Sequence, residues 1–181
     1  IYLNSNEHPR KDSKLESAED RFSKELKQRF HSHNFEKAAP IMHELRMIKS
    51  DIEIDLIRTA CKITHKGFNR VLNFVKPGVM EYEIEAELIH EFISNRSKGF
   101  AYQPIVASGK NACILHYIAN NQPCNDGDII LIDAAAEYAN YASDLTRSIP
   151  VSGKFSPRQK EVYNAVLRVM KNAIKMLVPG N

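Results

Sequence analysis

The aliphatic run Ile129-Ile130-Leu131-Ile132, closed by Asp133, constrains this chain more than any other feature. Such a run reads as a strand buried on both faces that ends where a carboxylate meets the edge of the core. An unpartnered charge in that position destabilises a fold by roughly several kcal/mol, so Asp133 needs a partner. A second acid, Asp144, follows in the same segment. If the chain turns back at Ala139-Asn140, where asparagine tolerates the backbone angles of a tight hairpin, Asp144 faces Ala135 and Thr146 faces Asp133. Side chains alternate along a strand, so Asp133, Ala135, Asp144 and Thr146 share one face. The two acids become diagonal neighbours and repel each other unless a cation sits between them. Alanines 134, 135 and 136 leave room for one, and Thr146 can donate its hydroxyl to Asp133 as outer support. Oxygen donors of this kind suit manganese, magnesium or calcium. The alternative from these residues alone is a solvated hairpin with one acid at each end.

Composition removes several other classes of function. The 181 residues allow one core, or one domain with an appendage, and 43% apolar with 26% charged residues is ordinary for a globular chain. A formal charge of +3, with no Lys/Arg cluster interleaved with aromatics, argues against a nucleic-acid partner. No apolar run approaches membrane-spanning length, so no membrane partner is expected. Cys61, Cys113 and Cys124 are an odd number without paired spacing, which fits a reducing, cytoplasmic location. Cys113 and His116 form a Cys-x-x-His pair with no second pair to complete a zinc site. Packing is therefore expected of Cys113, and a place in a helical core of Cys61. The chain opens at Ile1 with no signal-peptide pattern, as expected of a processed product or part of a longer protein.

Residues 1–40 differ in character from the rest. Ile1-Tyr2-Leu3 suggests the end of a strand, and a charged segment from Pro9 to Arg29 carries Phe22, Leu26 and Phe30 at helical spacing. His31 and His33 lie among polar residues and are expected to be exposed. A boundary is expected near Ala39-Pro40, dividing the chain into 1–40 and 41–181. Ser50-Asp51-Ile52-Glu53 reads as a capping box opening a long helix with Leu56, Ala60, Ile63, Gly67, Val71 and Val75 on one face, stopped by Lys76-Pro77-Gly78. A second helix from Glu81 to Asn95 turns Ile84, Leu88 and Phe92 inward, while His65 and His90 read as surface or satisfied packing histidines rather than ligands. Strands are expected at Tyr102–Ala107 and Ile114–Tyr117, with turns at Ser108-Gly109 and Asp126-Gly127-Asp128. Ser156-Pro157-Arg158-Gln159 starts a last helix, with Val162, Ala165, Val169, Ala173 and Met176 on one face.

The stretch from Ala101 through Gln103-Pro104 and Ile114-Leu115-His116-Tyr117, then Asp126-Gly127-Asp128, the hairpin and Gly153-Lys154-Phe155, resembles the pita-bread metallopeptidases. The likeness is strongest to the aminopeptidase P (Xaa-Pro aminopeptidase) and prolidase branch, and it covers roughly residues 44–181. The resemblance implies an α+β fold, the first half of a pita-bread domain in which helices back a curved antiparallel sheet. Residues 1–40 would then be the tail of an amino-terminal domain and its linker. It also implies a pair of divalent cations, manganese by preference, with Asp133 binding one and Asp144 bridging both. His116 matches the histidine that lies beside the metals and contacts substrate or shuttles a proton. A further histidine and two glutamates have no matching positions before Asn181.

The same resemblance implies an exopeptidase that releases the first residue from peptides with proline second, through a hydroxide bridging the metals. Prolidase activity on Xaa-Pro dipeptides is one alternative. A pita-bread module that binds peptides or proteins without catalysis is another. With two ligands of the expected five, this polypeptide alone is expected to be inactive and to hold no tight metal pair. Apolar surface left uncovered by the absent half would favour association with itself as a homo-oligomer, or with neighbouring molecules.

Overall fold

The computed structural model describes residues 1–4 and 16–180. The chain divides into two compact units, Ile1–Ile52 and Glu53–Asn181. In the first, strands β1 (Tyr2–Leu3) and β2 (Glu36–Lys37) pair in parallel, and β1 lies where the sequence suggested a strand end. Helix α1 (Ala18–Arg29) opens in a capping box, Ser17 accepting from the Asp20 amide and Asp20 from that of Ser17. Glu19 and Asp20 in its first turn and Lys27 and Arg29 in its last complement the helix dipole. No residue of α1 is buried, so its mixed charges form a solvated face. The earlier part of the charged segment, from Pro9 to residue 15, lies outside the described residues. Helix α2 (Ala39–Met47) carries Pro40 in its first turn, where a ring-fixed φ suits the helix and the missing N–H has no partner to lose.

The long helix α3 (Asp51–Phe74) starts directly after Ser50 and buries Ala60, Ile63, Thr64, Gly67, Phe68 and Val71. It stops before Gly78, whose φ of 93° few other residues adopt. Helix α4 (Glu81–Ser94) buries Ile84, Leu88 and Phe92 as its periodicity predicts, each contributing about 1.5–3 kcal/mol of apolar burial. The two helices approach closely at Gly67, where an added Cβ would stand 2.6 Å from the Phe92 ring. Phe92 also meets the Phe100 ring edge-on at 5.3 Å.

These helices pack with an antiparallel sheet of order β3-β4-β7, built from Ile105–Ser108, Ile129–Asp133 and Thr146–Pro150. The apolar run of β4 fills the centre of the sheet, with Ile130 and Ile132 fully buried beside Val106 and Val151. A separate two-stranded ribbon, β5 (Glu137–Tyr138) and β6 (Tyr141–Ala142), closes the hairpin. The arrangement is thus α+β, as expected. Helix α5 (Pro157–Met176) has the expected box between Ser156 and Gln159, and its apolar residues Val162, Val166, Val169 and Ile174 are exposed. Among the described residues no helix is long and apolar enough to cross a membrane.

Three local expectations need correction. Strand β3 begins at Ile105 rather than Tyr102, because Pro104 has no N–H to give a ladder. Ile114–Tyr117 is not a strand. It follows a 3-10 helix at Gly109–Cys113 and breaks at His116, whose φ of 55° is left-handed. Cys61 and Cys113 are exposed rather than packed. Cys61 is one helical step past buried Ala60 and so points away from the core, and Cys113 ends the 3-10 turn facing outward.

Cys124, by contrast, is buried, and burial pushes its thiol up to about 11 against a partial opposing effect of the Ser108 hydrogen bond. A thiol raised that far is about one part in a thousand thiolate at pH 8. Iodoacetamide at pH 8 should therefore label Cys61 and Cys113 quickly and Cys124 only under denaturing conditions, as read by peptide mass spectrometry. Labelling of all three at equal rates would contradict the placement of Cys124.

Candidate metal centre

The hairpin holds the register expected from its turn. Asp133 pairs with Thr146, Ile132 with Arg147, and Tyr138 with Tyr141. Ala139 and Asn140 occupy the turn with φ of 50° and 68°, the two positive angles that suit the twist of a two-residue hairpin. Between the two ladders, strand pairing is interrupted at Ala134–Ala136, although Ala134 still donates to Leu145 O and Ser143 to Ala136 O. Asp133 stands at one edge of this interruption and Asp144 lies within it.

Buried hydroxyls hold the interruption open. The Ala136 amide donates to Thr64 Oγ1 at 2.8 Å, and Ser143 Oγ donates to the Ala136 carbonyl at 2.9 Å. With the Ser143 proton so placed, the 2.8 Å contact between the two hydroxyls takes its proton from Thr64. The three buried alanines leave this stretch without bulk. On the opposite side, Ala101 donates to Ala135 O at 2.8 Å, which fixes the start of the segment carrying Tyr102.

Tyr102 is the residue that the sequence reading missed. Its hydroxyl lies 2.7 Å from Asp133 Oδ1 and 2.9 Å from Asp144 Oδ1, and receives the Leu145 amide at 3.4 Å. Burial first, and then the hydrogen bond to Asp133, push this hydroxyl well above the ordinary phenol range, with the Leu145 amide acting the other way. The group is a neutral donor with one proton between two carboxylates. One of the two close oxygen pairs therefore lacks a proton, a contact that a cation would relieve. Tyr102 read in the sequence only as the start of a strand. Its role follows from where Ala101 is pinned, which no local pattern encodes.

Both acids, Tyr102 and His116 line one hollow of about 460 Å³, walled by Ile105 and Ile118. An adjoining hollow of about 330 Å³ shares Ile105, His116 and Asp133 and adds Thr146. The structure thus gathers all four residues singled out by sequence, Asp133, Asp144, His116 and Thr146, around two neighbouring spaces. Thr146 stands opposite Asp133 in the ladder, while the hydroxyl bonded to that acid is Tyr102's. The donor set is hard oxygen of the kind manganese or magnesium takes. Among the described residues no group of three or more histidine, cysteine, aspartate or glutamate side chains converges, so the two aspartates fit part of a divalent-cation site.

Comparison with known proteins gives a consistent result. The model of metallopeptidase family M24 matches residues 55–181. The chain is 49% identical over 142 residues to a Xaa-Pro aminopeptidase of Haemophilus influenzae, covering 78% of this chain and 33% of that protein. Against a Xaa-Pro aminopeptidase of Escherichia coli the identity is 43% over 141 residues, covering 78% and 32%. Among solved structures, a variant of Escherichia coli aminopeptidase P in complex with substrate matches with a TM-score of 0.84 and 34% identity, over 99% of this chain and 41% of that one. The chain spans about a third of the length of the curated relatives it matches.

The shared hydroxyl makes a testable demand on stability. In metal-free buffer Tyr102→Phe should destabilise the chain by about 1–3 kcal/mol, the effect of stranding bonded polar groups, as measured by urea unfolding. Adding Asp144→Asn removes one of the facing charges and should recover part of that loss. A double variant no more stable than Tyr102→Phe alone would show that the two acids are not in conflict.

Proposed function

Because this chain belongs to metallopeptidase family M24, we propose that Asp133 and Asp144 hold a pair of divalent cations in a protein that removes the first residue from peptides with proline in second position. The observation that carries this reading is the convergence of Asp133 Oδ1 and Asp144 Oδ1 on one tyrosine hydroxyl. Relatives named Xaa-Pro aminopeptidase support the substrate class. Manganese is among the metals that oxygen donors of this kind take.

When bound, such cations supply a water acidic enough to ionise near neutral pH and polarise the scissile carbonyl. The chain's own residues do the rest. Asp133 and Asp144 fix where positive charge sits relative to the hollow. His116, exposed on its rim, donates to a developing oxyanion or passes a proton to the departing amine. Ile105 and Ile118 offer apolar walls to the substrate. No serine or cysteine nucleophile enters this scheme.

The reading is tested on the full-length protein loaded with manganese. Xaa-Pro-Yaa peptides should be cleaved in preference to Xaa-Ala-Yaa, and Asp133→Asn or Asp144→Asn should lower the rate by more than the about 10–100-fold typical of outer partners of a metal. Equal rates on proline and alanine peptides would defeat the assignment. Preference for Xaa-Pro dipeptides over longer peptides would favour prolidase activity, and peptide binding without turnover a non-catalytic module. For residues 1–181 alone, titration calorimetry should show no pair of submicromolar manganese sites.

A further inference from the structure

Glu81 is fully buried at the first position of α4, and its carboxylate accepts four hydrogen bonds. Oε1 takes the Ser108 amide at 2.8 Å and Asn111 Nδ2 at 3.0 Å, while Oε2 takes the Tyr117 hydroxyl at 2.7 Å and the Gln122 amide at 3.0 Å. Asn111 uses its other proton on the Tyr117 hydroxyl, at 3.2 Å. All four acceptor positions of the carboxylate are thus filled. The donors run from the last residue of β3, Ser108, through Asn111 and Tyr117 to Gln122, along most of the connection to β4. That segment has no ladder of its own, and it carries His116 in a left-handed conformation directly before Tyr117. One turn further along α4, Glu85 takes Asn120 Nδ2 at 2.8 Å, and Asn120 in turn accepts the Val106 amide at 2.9 Å.

A buried carboxylate is a poor way to gain stability, since a packed apolar side chain of similar volume does as well or better. Its arrangement here is instead suited to holding a strained turn in one place. We propose that Glu81 is the positioning residue for His116, acting through the Tyr117 hydroxyl to hold the segment 109–122 in the conformation that sets the imidazole beside Asp133 and Asp144. Burial, and then the bond to Glu81, keep the Tyr117 hydroxyl above its ordinary pKa and therefore the donor. The relevance of this positioning to turnover rests on the reading of His116 as the group that meets the substrate.

Two variants, Tyr117→Phe and Glu81→Gln, test the proposal, the first keeping it falsifiable should the second fail to fold. The direct readout is NMR of residues 1–181, following the His116 ring signals and amide exchange across the segment. Tyr117→Phe should move the His116 ring signals and speed exchange of the bonded Ile114 and Gln122 amides by about tenfold or more, with Ile130 and Ile132 in the central strand unchanged. Unmoved His116 signals, or acceleration of the central strand to the same degree, would overturn it. In the manganese-loaded full-length protein, Tyr117→Phe should lower kcat about tenfold or more with KM little changed, as for a misplaced catalytic group. Loss through KM alone would also overturn it. If the unaltered protein shows no preference for proline peptides, the functional reading fails, and the NMR comparison still decides the role of Glu81.

Discussion

The hydroxyls of Thr64 and Ser143 and the backbone of Ala136 form a closed set of hydrogen bonds between a helix and a sheet, with neither side chain reaching solvent. Polar groups so deeply placed would weaken the fold if any one lacked a partner. Satisfied together, they fix the one stretch of the hairpin where strand pairing lapses. Asp133 ends the ladder on one side of that lapse, and Asp144 sits inside it, its Oδ1 bonded to the same Tyr102 hydroxyl as Asp133. The location of the acidic pair therefore depends on a contact made well behind it.

The helices and the hairpin were legible because each is specified locally. Ile84, Leu88 and Phe92 repeat at helical spacing, Ser156 and Gln159 mark a helix start, and Ala139-Asn140 permits a single turn whose register follows by counting. The acids and Thr146 could be placed on one face for the same reason. Tyr102 and Glu81 could not be found this way. Their partners lie 31 and 36 residues away for the bonds to Asp133 and Tyr117, and nothing in the neighbouring sequence announces them. The mistaken strand at Ile114–Tyr117 has a related origin, since its apolar pattern is real but a left-handed residue interrupts it.

Some unfavourable geometry lies beside the acidic pair. His116 and Asn120 in the segment after β3 have positive φ, and two carboxylates face each other across a single proton. Strain of this kind persists only where surrounding contacts over-determine it. Here those contacts are the bonds made by Glu81, by Asn120 and by the Thr64 set. The apolar core beneath, from Ile63 to Val151, supplies the stability against which these local losses are set.

The carboxylate of Glu81 gathers groups from Ser108 to Gln122, all synthesised after α4 itself. Such a knot cannot tighten while only neighbours in sequence have met. Its bonds join groups 27 to 41 residues apart, so closing it costs more chain entropy than winding α4 or turning the hairpin. A partly unfolded chain that kept its helices would on that account lose the placement of His116 before it lost α4.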